Sequence, residues 1–393
     1  MSSEPGSQAL RGLARSIDGL FSREASASPP RGLDGVTKDG GQGDDMTWVA
    51  EAAVRLPGDV HRPDPLIDAV KAFARSFPTP SEASRGMLAE AVEDARARRA
   101  GPAMAGAVEA LAHLSQWDHD TLRVAQDLVT PGVASLLVSR LSEAAGDEGR
   151  QAELVEVLPR LGEEVELAVL EALRQEAPDP GADRGIRRSL LEVVAAFADR
   201  GSDILARMVR EPDWRLARNA IHLVVERGGD DTVEHLTVAM GHSEGRVRRE
   251  SLQALSRLGG DQAAILATSG LQDPSPEVRA QAARTVGALH AERALRPLLT
   301  LLDEEEDPDV VVEVIRALGA LGDPSAVIPL EKRAVSGFFS RKPQAVRIAA
   351  YRALKAIGTP HAMELIRDAL EDRDAEVRRT AQAVLSDDGG GAP

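Results

Sequence analysis

Cysteine is absent from all 393 residues. That excludes disulfides, thiolate nucleophiles, iron–sulfur clusters and cysteine-type zinc sites together. Aromatic residues are scarce: six Phe, three Trp and one Tyr. The core must therefore be built from Leu, Val, Ile and Ala, which suits closely packed helices. No apolar run approaches the ~18 residues that a bilayer-spanning helix needs. The opening MSSEPGSQALRG has no basic segment followed by an apolar stretch, so no secretory signal is expected and the cytoplasm is the expected compartment. Positive charge is also in deficit: 47 Lys and Arg face 63 Asp and Glu, a net −16. Residues 1–100 are nearly balanced, with 13 basic and 15 acidic side chains, so the excess lies in the remainder. Such a surface repels polyphosphate, and neither nucleic acid nor a membrane is an expected partner.

What is present is helical. Hydrophobic residues make up 43% of the chain, enough to bury a core. Leu10, Leu13, Ile17, Leu20 and Phe21 lie at helical spacing and predict a short amphipathic helix over residues 8–22. It reads either as a terminal segment that frays or as a tethered docking peptide. Residues 25–45, rich in Gly, Pro, Ser and Asp, read as a flexible linker. From about Met46 the pattern is helical throughout, and no segment alternates polar and apolar between Gly or Asn turns.

A period then emerges. Ile186, Leu216, Val247, Val278, Val310, Val346 and Val377 recur at spacings of 30, 31, 31, 32, 36 and 31 residues. Eight residues after each stands another apolar side chain: Val194, Val224, Leu255, Val286, Leu318, Leu354 and Leu385. Asp273-Pro274 and Asp307-Pro308 mark the start of a first helix in each unit, Asp323-Pro324 and Thr359-Pro360 the start of a second. Gly259, Gly322 and Gly358 stand where a helix has to stop. Pro297 and Pro329, 32 residues apart, either restart or kink the second helix. A two-helix unit of ~31 residues cannot bury its apolar face alone, so neighbours must stack into a superhelix.

Segments such as DPSPEVRAQAARTVGALH and DPDVVVEVIRALGALGDPSAVIPL resemble HEAT repeats of the short bacterial kind also found in bilin-lyase-like proteins. The resemblance covers residues 186–386 and fades over 104–185, where Leu158 and Leu161 keep their places and residues 107–114 open an earlier unit. Residues 46–103 depart from the pattern and read as a helical capping segment, and 387–393 as a tail. The resemblance implies an all-α, right-handed α-solenoid. It also implies a ladder in which an Arg just after the anchor pairs with an acid of the neighbouring repeat. Arg248, Arg279, Arg347 and Arg378 match the Arg, and Asp273 the acid, whereas Ala217 and Val311 break the row. A row of ligand-binding Arg residues is the other reading.

Catalytic constellations are missing. His119 sits between Asp118 and Asp120, but adjacent helical side chains diverge by ~100° and cannot converge on one ion. His222, His235 and His242 fall within one unit without i,i+4 or HExxH spacing. Iron-binding HEAT-like hydroxylases use repeated His-Glu pairs, and no His-Glu dipeptide occurs. GGQG at 40–43 lacks both the Walker Lys and the GxGxxG frame, and no GxSxG elbow occurs. No metal, cofactor or catalytic residue is therefore expected. The acidic run at 303–309 reads as a solvated loop or as a contact for a basic partner.

The expected function is a non-catalytic scaffold or adaptor for a protein partner, bound along the concave face. That face should come from the second helices. There Val233, Leu236, Leu295, Leu298, Ile328, Leu330 and Ile366 suit the core, leaving Glu234, Arg293, Arg296, Glu331 and Arg367 outward. The 336–344 loop is longer than its counterparts and places Phe338 and Phe339 beside Arg341 and Lys342. It reads as an interface hot spot or as a small core beneath the loop. Two rival functions are handling of a tetrapyrrole or other bulky ligand, implied by the bilin-lyase-like resemblance, and binding of damaged DNA. Replacing both Phe338 and Phe339 with Ala separates the two readings of the loop. A hot spot loses partner binding at unchanged melting temperature, whereas a loop core lowers the melting temperature and keeps the partner.

Overall fold

In a computed structural model, residues 64–76, 80–114, 119–144, 147–176, 184–335 and 343–386 are described. Among them there are twenty α-helices and no strand. Two compact units divide the chain, Met1–Leu205 and Ala206–Pro393.

The described part of the first unit contains α1 (Pro65–Ala74), α2 (Glu82–Arg98), α3 (Gly101–Leu114), α4 (His119–Leu128), α5 (Pro131–Glu143), α6 (Glu148–Val157), α7 (Glu163–Glu176) and α8 (Arg184–Asp199). Helices start where the sequence supplies a cap. Asp64 accepts from the Leu66 N–H ahead of Pro65, and Thr130 accepts from the Val133 N–H ahead of Pro131. At the centre, α3 packs on α1, α4 and α5. Its small residues Ala105, Gly106, Ala107 and Ala112 let these neighbours approach closely. Glu109 is buried in this helix at 4% exposure and is bracketed by Arg140 of α5 and Arg150 of α6, so the buried charge is paired twice. Leu158 and Leu161, the sequence markers of this region, are buried.

A short helix, α9 (Ile204–Val209), spans the division. The second unit is regular. Its first helices are α10 (Trp214–Arg227), α12 (Gly245–Leu258), α14 (Pro276–Ala288), α16 (Pro308–Leu321), α18 (Gln344–Ile357) and α20 (Ala375–Ser386). The second helices are α11 (Thr232–Met240), α13 (Gly260–Ser269), α15 (Leu295–Glu304), α17 (Val327–Ala334) and α19 (Pro360–Asp368). Each first helix stacks on the next, and each second helix packs against the first helix that follows it, which is α-solenoid packing. The apolar period is the core of this stack. All seven anchors and their partners eight residues on are buried except the outermost two, Ile186 and Leu385, which are half-buried.

Local chemistry follows the punctuation, with one correction. Asp307, Asp323 and Thr359 cap as expected. Asp273 does not start a helix: α14 begins at Pro276, and the Asp273 carboxylate accepts instead from the Ser275 N–H at 2.9 Å. Gly322 and Gly358 end α16 and α18 in the left-handed conformation. Pro297 and Pro329 sit in the first turns of α15 and α17 after short 3-10 turns, so they restart the second helix where no N–H is needed.

Two glycines set how closely the first helices approach. A Cβ on Gly287 would lie 2.9 Å from the Ala317 Cα, and one on Gly319 would lie 2.8 Å from the Ala353 Cα. Both contacts meet backbone, which cannot swing aside. Gly319→Ala is therefore expected to destabilise the second unit by about 1–3 kcal/mol in chemical denaturation. Gly86→Ala is the contrast. It lies on the exposed face of α2 with nothing within 4 Å of its Cβ, so a gain of about 0.4–1 kcal/mol is expected. Equal effects at the two positions would contradict the close-approach assignment.

Candidate functional site

The inter-repeat ladder is present and carries more than the expected pairs. Arg248 donates from Nε and Nη2 to Asp273 at 2.6 and 2.8 Å, Arg279 likewise to Glu305 at 2.7 and 3.2 Å, and Arg347 to Asp372. In all three the acid stands five residues before the next anchor. The Nη1 groups of Arg248, Arg279 and Arg378 also donate to carbonyls five and six residues back, such as His242 and Ser243 for Arg248. One guanidinium thus closes its own inter-helix loop and ties it to the next repeat. Where the Arg is lost, the acid is lost too: Ala217 precedes His242, and Val311 precedes Arg341, at the matching acid positions. These arginines are structural staples.

A second row of charges went unrecognised in the sequence. His222 Nε2 lies 3.2 Å from Glu250 Oε1 on the following first helix. The same relation recurs two repeats on, where Arg284 Nε lies 3.2 Å from Glu313, which Arg316 also contacts at 2.7 Å. Between α16 and α18 the acid position is Ala349. There an apolar groove of about 390 Å³ opens, lined by Val312, Ala320, Ile348 and Ala349, with Arg316 and Arg352 at its rim.

The second-helix face is where the sequence places the partner. Numbered from each anchor, Glu234, Ile265, Arg296, Ile328 and Glu364 share one position, 18 residues on. Arg293 lies three residues before that position in its repeat, and Glu331 and Arg367 lie three after it in theirs. The five predicted residues therefore occupy a single stripe across stacked helices. Glu234, Arg293, Arg296 and Arg367 are exposed and make no ion pair among the described residues. Glu331 is half-buried, and its carboxylate lies 3.3 Å from His361 Nε2. Arg296 also lines a groove of about 690 Å³ with Gln272, Thr300 and the Arg279–Glu305 pair.

The core assignment on these helices needs correction. Leu236, Leu298, Leu330 and Ile366 are fully buried, whereas Val233 and Leu295 are half-buried. Ile328 is not core at all, with 55% of its surface exposed, and Ile265 at the equivalent position is 50% exposed. Inward and outward positions lie only two residues apart on these short helices, which explains the misassignment. The outward stripe is thus apolar as well as charged. Phe338, Phe339, Arg341 and Lys342 lie outside the described residues, as do residues 8–22 and 40–43.

The histidines are separately engaged. His235 Nδ1 lies 2.8 Å from the Asp231 carbonyl, and His242 Nε2 lies 2.9 Å from the Glu211 carbonyl. Among the described residues no group of three His, Asp or Glu has the geometry to hold a metal ion. No helix among them is long and apolar enough to cross a membrane.

A family model described as HEAT repeats matches residues 266–340, and one described as PBS lyase HEAT-like repeat matches 346–372. The chain carries HEAT repeats over these residues. No curated protein matches it. Similar solved structures include the complex of CpcE and CpcF of phycocyanin lyase from Nostoc sp. PCC7120, at 23% identity over 47% of this chain and 75% of that one, TM-score 0.35. Human deoxyhypusine hydroxylase in complex with glycerol is similar at 19% identity over 65% and 96%, TM-score 0.29. An engineered protein is similar at 18% identity over 97% and 100%, TM-score 0.36. At these scores the likenesses carry nothing about activity.

The HEAT ladder has an electrostatic signature. Burial alone would raise the Asp273 and Glu305 carboxyls, but their Arg partners and loop N–H groups outweigh it and hold both below their ordinary values of 3.8 and 4.5. Groups depressed in the fold contribute fully above those ordinary values and lose the contribution as pH falls through the lowered ones. Asp273→Asn should therefore cost about 2–4 kcal/mol at neutral pH, and the penalty should shrink as the wild-type carboxyl is protonated in acid. Denaturant unfolding across that range checks this, and a penalty independent of pH contradicts it.

Proposed function

We propose that this HEAT-repeat protein is a non-catalytic scaffold that binds a protein partner along the second-helix stripe of its repeats. The observation that carries the reading is the stripe itself. Ile265 and Ile328 stand exposed one repeat to either side of Arg296, and Arg293 and Arg296 between them make no ion pair among the described residues. Adjacent packed helices lie 8–10 Å apart, so the two isoleucines are roughly 20 Å from each other. That span suits an elongated partner segment with apolar anchors around an acidic centre. Apolar side chains beside Arg are the combination that an interface core uses. The 336–344 loop, with Phe338, Phe339, Arg341 and Lys342, is proposed as a second part of the same interface.

A second reading is favoured by the match of residues 346–372 to the PBS lyase HEAT-like repeat. On it, the groove between α16 and α18 would take a bulky ligand, with Arg316 and Arg352 at the rim meeting its acidic groups. Its volume of about 390 Å³ falls in the range of small-molecule sites.

Native capture from the source cells with the full chain and with an Arg296→Glu, Ile328→Asp variant tests the proposal. Both side chains are exposed, so the variant should melt within about 0.5 kcal/mol of the wild type. The expected result is one stoichiometric protein on the wild type, retained at high salt and lost from the variant. Retention of that protein on the variant contradicts the stripe. A visible absorption band on the purified chain with no protein partner favours the ligand reading.

A further inference from the structure

The second row of charges keeps its cations where it loses its acids. In the ladder, a lost Arg is matched by a lost acid. In this row the donor stands six residues after an anchor and meets the residue three after the next anchor, as His222 meets Glu250 and Arg284 meets Glu313. Arg316 and Arg352 hold the donor position, but the facing positions are Ala349 and Thr380. Earlier repeats place Glu192, His222 and Gln253 at the donor position, so stacking does not demand an Arg there.

Two flanking positions change in the same repeats. Two residues after the anchor, Arg188, Arg218 and Arg249 stand in the first three repeats and Arg379 in the last, but Ala280, Val312 and Ile348 in the three between. Ten residues after the anchor, Glu226 and Arg257 give way to Ala288, Ala320 and Ala356. The outer surface of α14, α16 and α18 is therefore apolar where its neighbours are charged, and the groove of about 390 Å³ between α16 and α18 lies within it. Ala349 opens that groove. At 6% exposure it lines the floor at the position that Glu313 fills one repeat earlier.

The groove is a trough. Its lining runs from Val312 to Ala320 along α16 and from Ala345 to Ala356 along α18, about 12 and 16 Å at the helical rise. Ala320, Ala345 and Ala356 are exposed along its edges. Small-molecule sites enclose most of their ligand, whereas an open trough of two to three turns matches one apolar face of a helix. Each wall carries one guanidinium at the rim. Arg316 is 61% exposed and shares the single Glu313 carboxylate with Arg284. Arg352 is exposed and makes no hydrogen bond or ion pair among the described residues. No acid on α18 can neutralise it, because that helix contains none, and Glu376 of α20 pairs with Arg379 at 2.9 Å. A rim of this sign on a chain of net charge −16 selects for carboxylates and against Lys or Arg.

We propose that the groove between α16 and α18 docks an acidic amphipathic helix of a protein partner. The apolar ridge of that helix lies over Val312, Ile348 and Ala349, and carboxylates on its two flanks pair with Arg316 and Arg352. This occupant is an alternative to the bulky ligand considered for the same groove. The site is on first helices and does not depend on the second-helix stripe.

Fluorescence anisotropy of the full chain tests the site, with a labelled helical peptide that carries Leu along one face and Glu on both flanks. A version with Lys for Glu and a scrambled version of the same composition are the comparisons. The acidic amphipathic peptide should bind and weaken with added salt. Ala349→Glu restores the carboxylate that Glu313 supplies one repeat earlier, so it should close the groove, satisfy Arg316 and cost the peptide roughly tenfold or more in affinity without lowering the melting temperature. Arg352→Glu, at an exposed position, should weaken the peptide similarly and keeps the test open if Ala349→Glu misfolds. The Arg296→Glu, Ile328→Asp variant should bind the peptide as the wild type does, and loss there instead would place it on the second-helix stripe and overturn this site alone. Unchanged affinity in Arg352→Glu, or equal binding of the Lys or scrambled peptide, would overturn the proposal. Displacement of the peptide by an equal concentration of dodecanoate would give the groove to a small ligand and overturn it as well.

Discussion

The second unit depends on one guanidinium position. A helix pair of this length leaves an apolar face open, and stacking closes it only if each repeat meets the next in a fixed register. The Arg after the anchor supplies that register. In Arg248 and Arg279 a single side chain satisfies two loop carbonyls of its own repeat and grips a carboxylate of the next. Donor and acceptor are both largely buried, so water does not compete and neither charge is stranded. Where a rung is missing, both of its ends are missing, and between α16 and α18 the close contact of Gly319 on Ala353 holds the neighbouring first helices by packing. Charge and close approach thus share the work of joining repeats.

Periodicity also sorts function from structure without any catalytic motif. In a stack of near-identical units, whatever recurs at one position serves the stack, and whatever departs from the recurrence is free to serve something else. Buried leucines and ladder arginines belong to the first class. Ile265, Ile328, Arg293 and Arg296 belong to the second. None of them contributes to the buried core.

Much of the fold could be read from the residues alone. The spacing of Val247, Val278, Val310 and Val346 predicted helices, period and core, because burial demands an apolar side chain at the same place in every unit. Caps at Asp307 and Thr359 were legible for a similar reason: an orphan N–H accepts few substitutes. The outward stripe was only partly legible. Its charged members Glu234, Arg293, Arg296, Glu331 and Arg367 were found by exclusion from the core, but Ile328 was assigned inward, since hydrophobicity cannot distinguish a core residue from an exposed anchor on a helix of two turns. Aligning Ile328 with Arg296 and Glu234 by the period would have shown it facing out. The His222–Glu250 and Arg284–Glu313 row was missed because its members change identity between repeats.

The central claim is that recurring arginines build the stack and non-recurring ones serve binding. Melting temperatures of single Arg→Met variants at Arg248, Arg279, Arg347, Arg293 and Arg296 test it most directly. The account predicts two separate classes: losses of several degrees at the first three, from breaking buried pairs, and changes near zero at the other two. A continuous spread across all five, or the larger losses at Arg293 and Arg296, would contradict it.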